Sequence, residues 1–295
     1  MKNSLPLISI ISVNFNAAAT TVEFLHSIKN LDYPNIEVIV VDNASDDQPI
    51  EGLRRQFPTV QFIVSEVNRG FAGGNNLGIK AAKGDFLFFV NNDTTFGEDL
   101  LYSLLSVFND DDRIGGVSPK IIYEGTEIIQ YAGFTSLSLI MRNQSIGHQC
   151  KDAEEYNDVI LTPYLHGAAM LISRKVIDRV GLMPEIYFLY YEELDWSEQM
   201  RIAGFQLAVD RRVAILHKAS VSVGKNSPLK TYFMMRNRWL FVRRNGKPFQ
   251  KVFYFLYVSL VVFPKEFFNY LFRLEWKQIQ SLIRGYFWNY SNKSL

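Results

Sequence analysis

Short apolar runs that stop abruptly at polar residues constrain this chain most. The clearest is residues 86–93, FLFFVNND, in which five apolar residues give way to Asn91, Asn92 and Asp93. A run this short, bounded by Gly84-Asp85 and Thr94-Thr95, reads as a strand buried on both faces. In open α/β sheets, ligands sit outside the carboxyl ends of strands. Asp93, at such an end, is a candidate ligand for a divalent cation.

The pattern recurs along the chain. Residues 7–15 (LISIISVNF) read as a first strand ending in Asn14-Phe15-Asn16. Thr20-Thr21-Val22-Glu23 matches a capping box, followed by Phe24, Leu25, Ile28 and Leu31 at helical spacing. Residues 36–41 (IEVIVV) form a second strand that runs into Asp42, Pro49 suits an early helical position, and 60–64 form a third strand. Strand, helix, strand, helix, strand requires parallel pairing and a doubly wound α/β sheet. Residues 68–78 (NRGFAGGNNLG) read as a Gly-rich loop entering a helix at Asn75, a place where backbone approaches a ligand and a helix start favours an anion. The spacing is not the G-x-G-x-x-G of a dinucleotide site.

Further on, Leu100, Leu101, Leu104, Leu105 and Phe108 mark a core-facing helix. Strands are expected near 117–123 and 128–133, then a long loop through 151–158. Residues 166–174 read as a strand with small residues such as Gly167 at its mouth, and Ser173 as the cap of a helix closed by Gly181. Residues 187–191 (YFLYY) lead into Glu192, Glu193 and Asp195 at a helix start, where the dipole favours carboxylates. Residues 208–216 form a strand that delivers His217, followed by a polar loop over 220–230.

The formal net charge of +1 argues against a polyanionic partner such as nucleic acid, but it hides an asymmetry. Residues 236–295 carry 11 Lys/Arg against Glu266 and Glu275, a net of +9, and 17 of the 42 aromatics. The preceding residues carry a net of −8. Phe268, Phe272, Trp276, Ile279 and Ile283 fall on one stripe of a helix expected over 265–284, with Arg273, Lys277, Gln280 and Arg284 beside it. Aromatic and cationic groups combined this way suit an anionic membrane surface. Covering the body's core, or building a homodimer, are the alternatives for this tail. The longest apolar run, 252–264, falls short of the ~20 residues a spanning helix needs. No signal peptide is read at the start, and Cys150, the one cysteine, excludes a disulfide framework or zinc cluster and fits a reducing compartment.

In order, the motifs VNFN (13–16), VVDNASDD (40–47), NRGFAGGNNLG (68–78), FVNND (89–93), GAAMLISR (167–174), YYEELDW (190–196) and LHKASVS (216–222) resemble the family-2 glycosyltransferases, over roughly residues 7–245. The closest subgroup is the rhamnosyltransferase-like enzymes of bacterial surface polysaccharide synthesis. The resemblance implies a GT-A fold, with a catalytic domain over 1–231 and a helical, membrane-associating extension over 232–295. It implies an inverting transfer from a nucleoside-diphosphate sugar to a lipid-linked or growing glycan, at the cytoplasmic face of the cell membrane. Asp42 then corresponds to the nucleobase-reading carboxylate, with Asn14 and Asn16 near the same nucleoside. Asn68, Arg69, Gly70, Asn75, Asn91, Asn92 and Gly167 line the donor. Asn91-Asn92-Asp93 stands in place of the Asp-x-Asp metal motif, leaving Asp93 and His217 as ligands to Mg2+ or Mn2+. Glu193 occupies the place of the general base within Glu192-Glu193-Leu194-Asp195, where relatives carry Asp, and Asp195 is the reserve candidate. Arg236-Asn237-Arg238 is expected either to meet a phosphate or to lie on a solvated basic helix.

Three rival classes stand beside this reading. A nucleotidyltransferase needs a basic Gly-rich loop after the first strand, where this chain has NFNAAAT. A processive synthase needs membrane spans and Gln-x-x-Arg-Trp, where this chain has Gln199-Met200-Arg201-Ile202. A non-catalytic glycan-binding or scaffold protein has no need of Asp42, Asp93, Glu193 and His217 together.

Overall fold

A computed structural model describes residues 5–46, 50–218 and 227–291. The readings for Asp47, Pro49 and residues 219–226 lie outside these residues. The chain gathers into two units, one of Met1–Thr135, Gln144–Phe188 and Glu192–Ser222, the other of Ser136–Asn143, Leu189–Tyr191 and Val223–Leu295.

The first unit is built on one sheet. Its opening half alternates as expected: β1 (Ile8–Asn14), α1 (Ala18–Ile28), β2 (Ile36–Asp42), α2 (Ile50–Gln56), β3 (Gln61–Val64), α3 (Gly70–Ala81) and β4 (Phe86–Val90). After these come β5 (Thr94–Phe96), α4 (Leu100–Asp110), β6 (Ile114–Tyr123), β7 (Ile129–Tyr131) and β8 (Val159–Leu161). The unit closes with β9 (Ala169–Ser173), α5 (Arg174–Val180), α6 (Glu192–Ile202) and β10 (Gln206–His217). The strands stand in the order β3-β2-β1-β4-β9-β6-β10-β5, with β7 on β6 and β8 on β10. β1 is parallel to β2 and β4, β2 to β3, and β6 to β10. β9 enters antiparallel between β4 and β6. The result is a mostly parallel sheet with helices on both faces. Two apolar clusters fill those faces, one around Phe24, Phe88, Leu104 and Ile215, the other around Ile11, Phe89, Met170 and Trp196. Phe88 and Phe89, adjacent on β4, point to opposite clusters, so the strand is buried on both sides as its composition demands.

Several local readings change. Residues 70–74 belong to the first turns of α3 and not to a loop. Their glycines serve packing: a Cβ on Gly74 would lie 2.8 Å from Val13 Cγ1, and one on Gly78 would lie 2.4 Å from Ile11 Cγ2. The backbone of the helix thus rests directly on the side chains of Val13 and Ile11 on β1. The capping box does not form either, because α1 starts at Ala18, earlier than Thr20, and Ala17 caps it with no side-chain bond. Thr21 instead donates to Asn14 Oδ1 at 2.9 Å. Ser173 precedes α5 but its hydroxyl makes no cap bond.

The second unit is helical: α7 (Pro228–Asn245), α8 (Pro248–Tyr257), a π-helical turn (Val258–Val262), α9 (Phe263–Phe272) and α10 (Trp276–Ser291). The π turn sits just before Pro264, whose ring removes a donor and crowds the preceding turn. Gly285 lets α10 close on α7, since a Cβ there would lie 2.6 Å from the Tyr232 carbonyl. The single helix expected over 265–284 is two, broken after Phe272 with Leu274 at φ +56°. Its stripe is split accordingly, with Phe272 exposed and Ile279 buried. Arg236 is neither solvated nor open to a phosphate. It is buried, with its guanidinium 4.7 Å from the Phe233 and Trp288 ring centres, and its Nε donates to Asn237 Oδ1.

Candidate functional site

The carboxyl ends of β1, β2 and β4 assemble one polar chain. The parallel register sets Asn14 opposite Asp42, and Asn14 Nδ2 donates to Asp42 Oδ1 at 2.7 Å. Ser45 N donates to Asp42 Oδ2, and Ser45 Oγ accepts from the backbone of Asn16. Asn92 Nδ2 donates to Thr21 Oγ1 at 2.8 Å, which links the end of β4 to Asn14. Asn14, Asp42 and Asn92 are all buried, and buried polar groups of this kind hold one geometry because each needs its partner. Asn16 is exposed at φ +50°, and its Oδ1 accepts from Asp46 N.

The turn between β3 and α3 is tied to the same strand ends. Asn43 Nδ2 donates to Asn68 Oδ1 and to the Gly70 carbonyl, while Asn43 Oδ1 accepts from Arg69 N. Gly70 sits at φ +70°, and a Cβ there would lie 2.0 Å from the Phe188 carbonyl oxygen. That oxygen accepts from Phe71 N at 2.7 Å. Gly70 is therefore what lets the 68–71 turn meet the segment that precedes α6. Arg69 is exposed and forms no ion pair among the described residues. Asn75 is buried, and its amide donates back to the Phe71 carbonyl within its own helix.

Asp93 and His217 are brought together by strand pairing. β5 and β10 run antiparallel with Thr94 opposite His217, which sets the residue before Thr94 beside the imidazole. His217 Nε2 lies 3.2 Å from Asp93 Oδ1, and both side chains are buried. His217 Nδ1 lies 2.8 Å from Gln130 Oε1. An amide oxygen can only accept, so in the neutral ring Nδ1 carries the proton and Nε2 turns its lone pair toward Asp93. Asp93 Oδ1 accepts no hydrogen bond. Two lone pairs at this distance require a cation or a proton between them. A carboxylate and an imidazole suit Mn2+ or Mg2+ when further oxygen ligands come from elsewhere, so the residues present fit such an ion. Among the described residues no third His, Cys, Asp or Glu joins them.

Glu192 and Glu193 open α6, where the helix dipole favours carboxylates. They follow Phe188, Tyr190 and Tyr191, all at positive φ between 64° and 78°. Backbone strain of this kind gathers at functional sites. Glu193 is partly exposed, and its Cγ lies 3.7 Å from where a Gly167 Cβ would be. The neighbouring Ala168 carbonyl accepts from Asn91 N, so Gly167 joins the start of α6 to the end of β4. Asp195 is fully buried and accepts from Gln199 Nε2. His166 is half-buried against Tyr131 and Phe134, and its Nδ1 accepts from Ala168 N. Burial, and secondarily the charge of His217, push its pKa down to about 3.

Thr21, Asn43, Gln130 and His166 shape this region but were not among the site residues expected from the sequence. Gln130 lies 87 residues from His217, Thr21 lies 71 from Asn92 and Asn43 lies 25 from Asn68, so no local pattern announces these pairs. Thr21 and Asn43 do sit beside strand ends, which is the one signal that marks them.

Residues 9–181 match the profile of glycosyl transferase family 2. A hexosyltransferase of low-salt glycan biosynthesis, Agl10 of Haloferax volcanii, is 26% identical over 250 residues, covering 79% of this chain and 74% of the relative. Among solved structures, the mannosyltransferase PcManGT of Pyrobaculum calidifontis, in complex with GDP-Man and Mn2+, superposes with a TM-score of 0.60 at 17% identity over 99% of this chain and 77% of its own. GalNAc-T7 with UDP, GalNAc and Mn2+ gives 0.63 at 15% identity, with 82% of this chain covering 48% of that one. These likenesses show the fold to be GT-A. With more than half of its length matching the profile, the chain belongs to glycosyl transferase family 2.

Proposed function

We propose that the chain transfers a sugar, with inversion, from a nucleoside-diphosphate donor to a glycan hydroxyl. The observation that carries this is the Asp93–His217 pair at the sheet's carboxyl edge, whose facing lone pairs call for a cation or a proton between them. Asp42, held by Asn14 and Ser45, offers its remaining lone pairs to the imide N–H of a uracil or thymine. Asn91, Asn92 and the 68–70 turn line the path from the base toward Asp93. A divalent cation held by Asp93 and His217 would offset charge on the departing diphosphate.

Glu193 takes the acceptor's proton as the acceptor oxygen bonds to the anomeric carbon and the bond to diphosphate breaks on the opposite face. Its partial exposure beside Gly167 favours it over Asp195, which is sealed in the core. The extra methylene of Glu relative to Asp extends its reach from the helix start. Residues 1–231 carry the catalysis. Sequence resemblance favours dTDP-rhamnose as donor and a lipid-linked or growing surface glycan as acceptor. Relatives solved with UDP or GDP-Man together with Mn2+ support a nucleotide-sugar donor in general.

The test is nucleoside-diphosphate release from a panel of sugar nucleotides, with Mn2+ or Mg2+ and with EDTA. Release from at least one donor that EDTA stops is expected. Pyrophosphate release from a nucleoside triphosphate and a sugar phosphate would point to a nucleotidyltransferase and refute the reading.

A further inference from the structure

The second unit carries a face of large apolar side chains that is exposed among the described residues. From Pro248 to Phe272 the chain is helical for 25 residues, about 37 Å, through α8, the π turn and α9. Tyr254, Val258 and Val262 form its inner stripe, and Tyr254 stacks on Trp239. Two positions further on, about 200° around the helix, Leu256 and Leu260 point outward. Phe249, Phe253, Phe268 and Phe272 extend this outer stripe, and Leu260 and Phe272 are 72% and 84% exposed. Only 17% of the helix's most apolar stretch is buried. A contiguous exposed face of large aliphatic and aromatic side chains marks an interaction surface.

Charge identifies the occupant. No charged residue falls between Val252 and Pro264. The outer stripe is bordered by Arg244 and Lys247 before it and by Lys265, Arg273 and Lys277 around its far end, all exposed. Glu266 and Glu275, the acids of this region, are half-buried. Among the described residues of α7 to α10, every fully exposed charge is therefore a cation. A second copy of the chain, docked face to face on the same patch, would set these cations against each other. An anionic lipid surface satisfies both the apolar stripe and its cationic border.

By length and composition alone the helix could also cross a membrane. Its inner stripe speaks against that, because Tyr254 and Ser259 are occupied by Trp239 and Tyr286 of α7 and α10. Crossing would carry those helices, with the arginines of α7, into the hydrocarbon. We propose that the outer stripe of α8 and α9 lies flat in the interfacial zone of an anionic bilayer, with Phe253, Leu256, Leu260 and Phe268 among the acyl chains. Of the 265–284 stripe that the sequence suggested, this keeps Phe268 and Phe272, leaves out the buried Ile279, and adds the outer face of α8. It does not depend on the sugar-transfer reading.

The experiment is flotation of the full chain with vesicles of phosphatidylglycerol and phosphatidylcholine, and with phosphatidylcholine alone. Phe253→Glu and Leu260→Glu, both at exposed positions, are each expected to weaken binding about tenfold or more while near-ultraviolet circular dichroism stays unchanged. Arg244→Gln and Lys247→Gln are each expected to weaken binding about fivefold on anionic vesicles only. Lipids brominated near the headgroup should quench tryptophan emission, Trp276 included, more than lipids brominated at the chain ends. Undiminished binding of a folded Leu260→Glu protein would overturn the proposal, as would stronger quenching from the chain ends. A soluble dimer that Leu260→Glu converts to monomer, with no vesicle binding by the parent, would assign the face to self-association and overturn it too.

Discussion

Gly70→Ala tests whether the 68–71 turn sets the position of the segment that leads to Glu193. At φ +70° an L-residue costs about 1–2 kcal/mol more than glycine. The new Cβ would also lie 2.0 Å from the Phe188 carbonyl oxygen, more than 1 Å inside ordinary contact. Relieving this overlap pushes that carbonyl away and breaks its bond from Phe71 N, worth about 1 kcal/mol net. The sum is about 2–3 kcal/mol, a fall in Tm of about 4–12 °C. Phe188 lies five residues before Glu193, so a displacement near 1 Å should also cost about a hundredfold in turnover, as misplacement of that size does elsewhere. Gly52→Ala is the control. Gly52 lies in α2 with nothing within 4 Å of its Cβ position, so the change should stabilise by about 0.5–1 kcal/mol and leave turnover alone. Thermal melting and donor turnover on the three proteins decide it. A Gly70→Ala protein that melts and turns over like the parent would refute the claimed contact and its role.

His166 provides a pH test. Its folded pKa of about 3 lies below the ordinary ~6.5, so the unfolded chain takes up the proton first. Its contribution is complete above about pH 6.5 and is lost as pH falls toward 3, about 2 kcal/mol by pH 5. Urea unfolding at pH 7 and pH 5 should show a smaller pH loss in His166→Asn than in the parent, and equal losses would contradict the assignment. Gln130→Leu removes the group facing His217 Nδ1 and should weaken Mn2+ binding in the presence of nucleoside diphosphate about tenfold by calorimetry, whereas unchanged affinity would show that Gln130 does not orient the ring.

Much of the fold was legible because β1, β2 and β4 are short apolar runs that end in, or run straight into, Asn or Asp. Residues 8–14, 36–42 and 86–90 are strands on that basis alone. The candidate site was read from the same strand ends: Asp42 and His217 are the last residues of β2 and β10, and Asp93 stands immediately before β5. What was misread depended on distant partners. Gly70, Gly74 and Gly78 repeat every four residues, a helix-face spacing, yet their meaning lies in Phe188, Val13 and Ile11. Thr20 to Glu23 carry the letters of a capping box, but Thr21 has a stronger use as a bridge between Asn14 and Asn92. The break at Leu274 carries no Gly or Pro to announce it, and its left-handed turn is fixed by bonds such as Glu275 N to the Tyr270 carbonyl. The choice between Glu193 and Asp195 needed burial, which spacing on a helix does not supply.

The most direct test of the central claim compares turnover and donor affinity in Glu193→Gln and Asp195→Asn, using the donor found in the panel with Mn2+ present. The account predicts that Glu193→Gln lowers turnover about 10²–10⁴-fold while the donor dissociation constant stays within about twofold of the parent's. Near-normal turnover by Glu193→Gln, with loss in a folded Asp195→Asn protein, would contradict it.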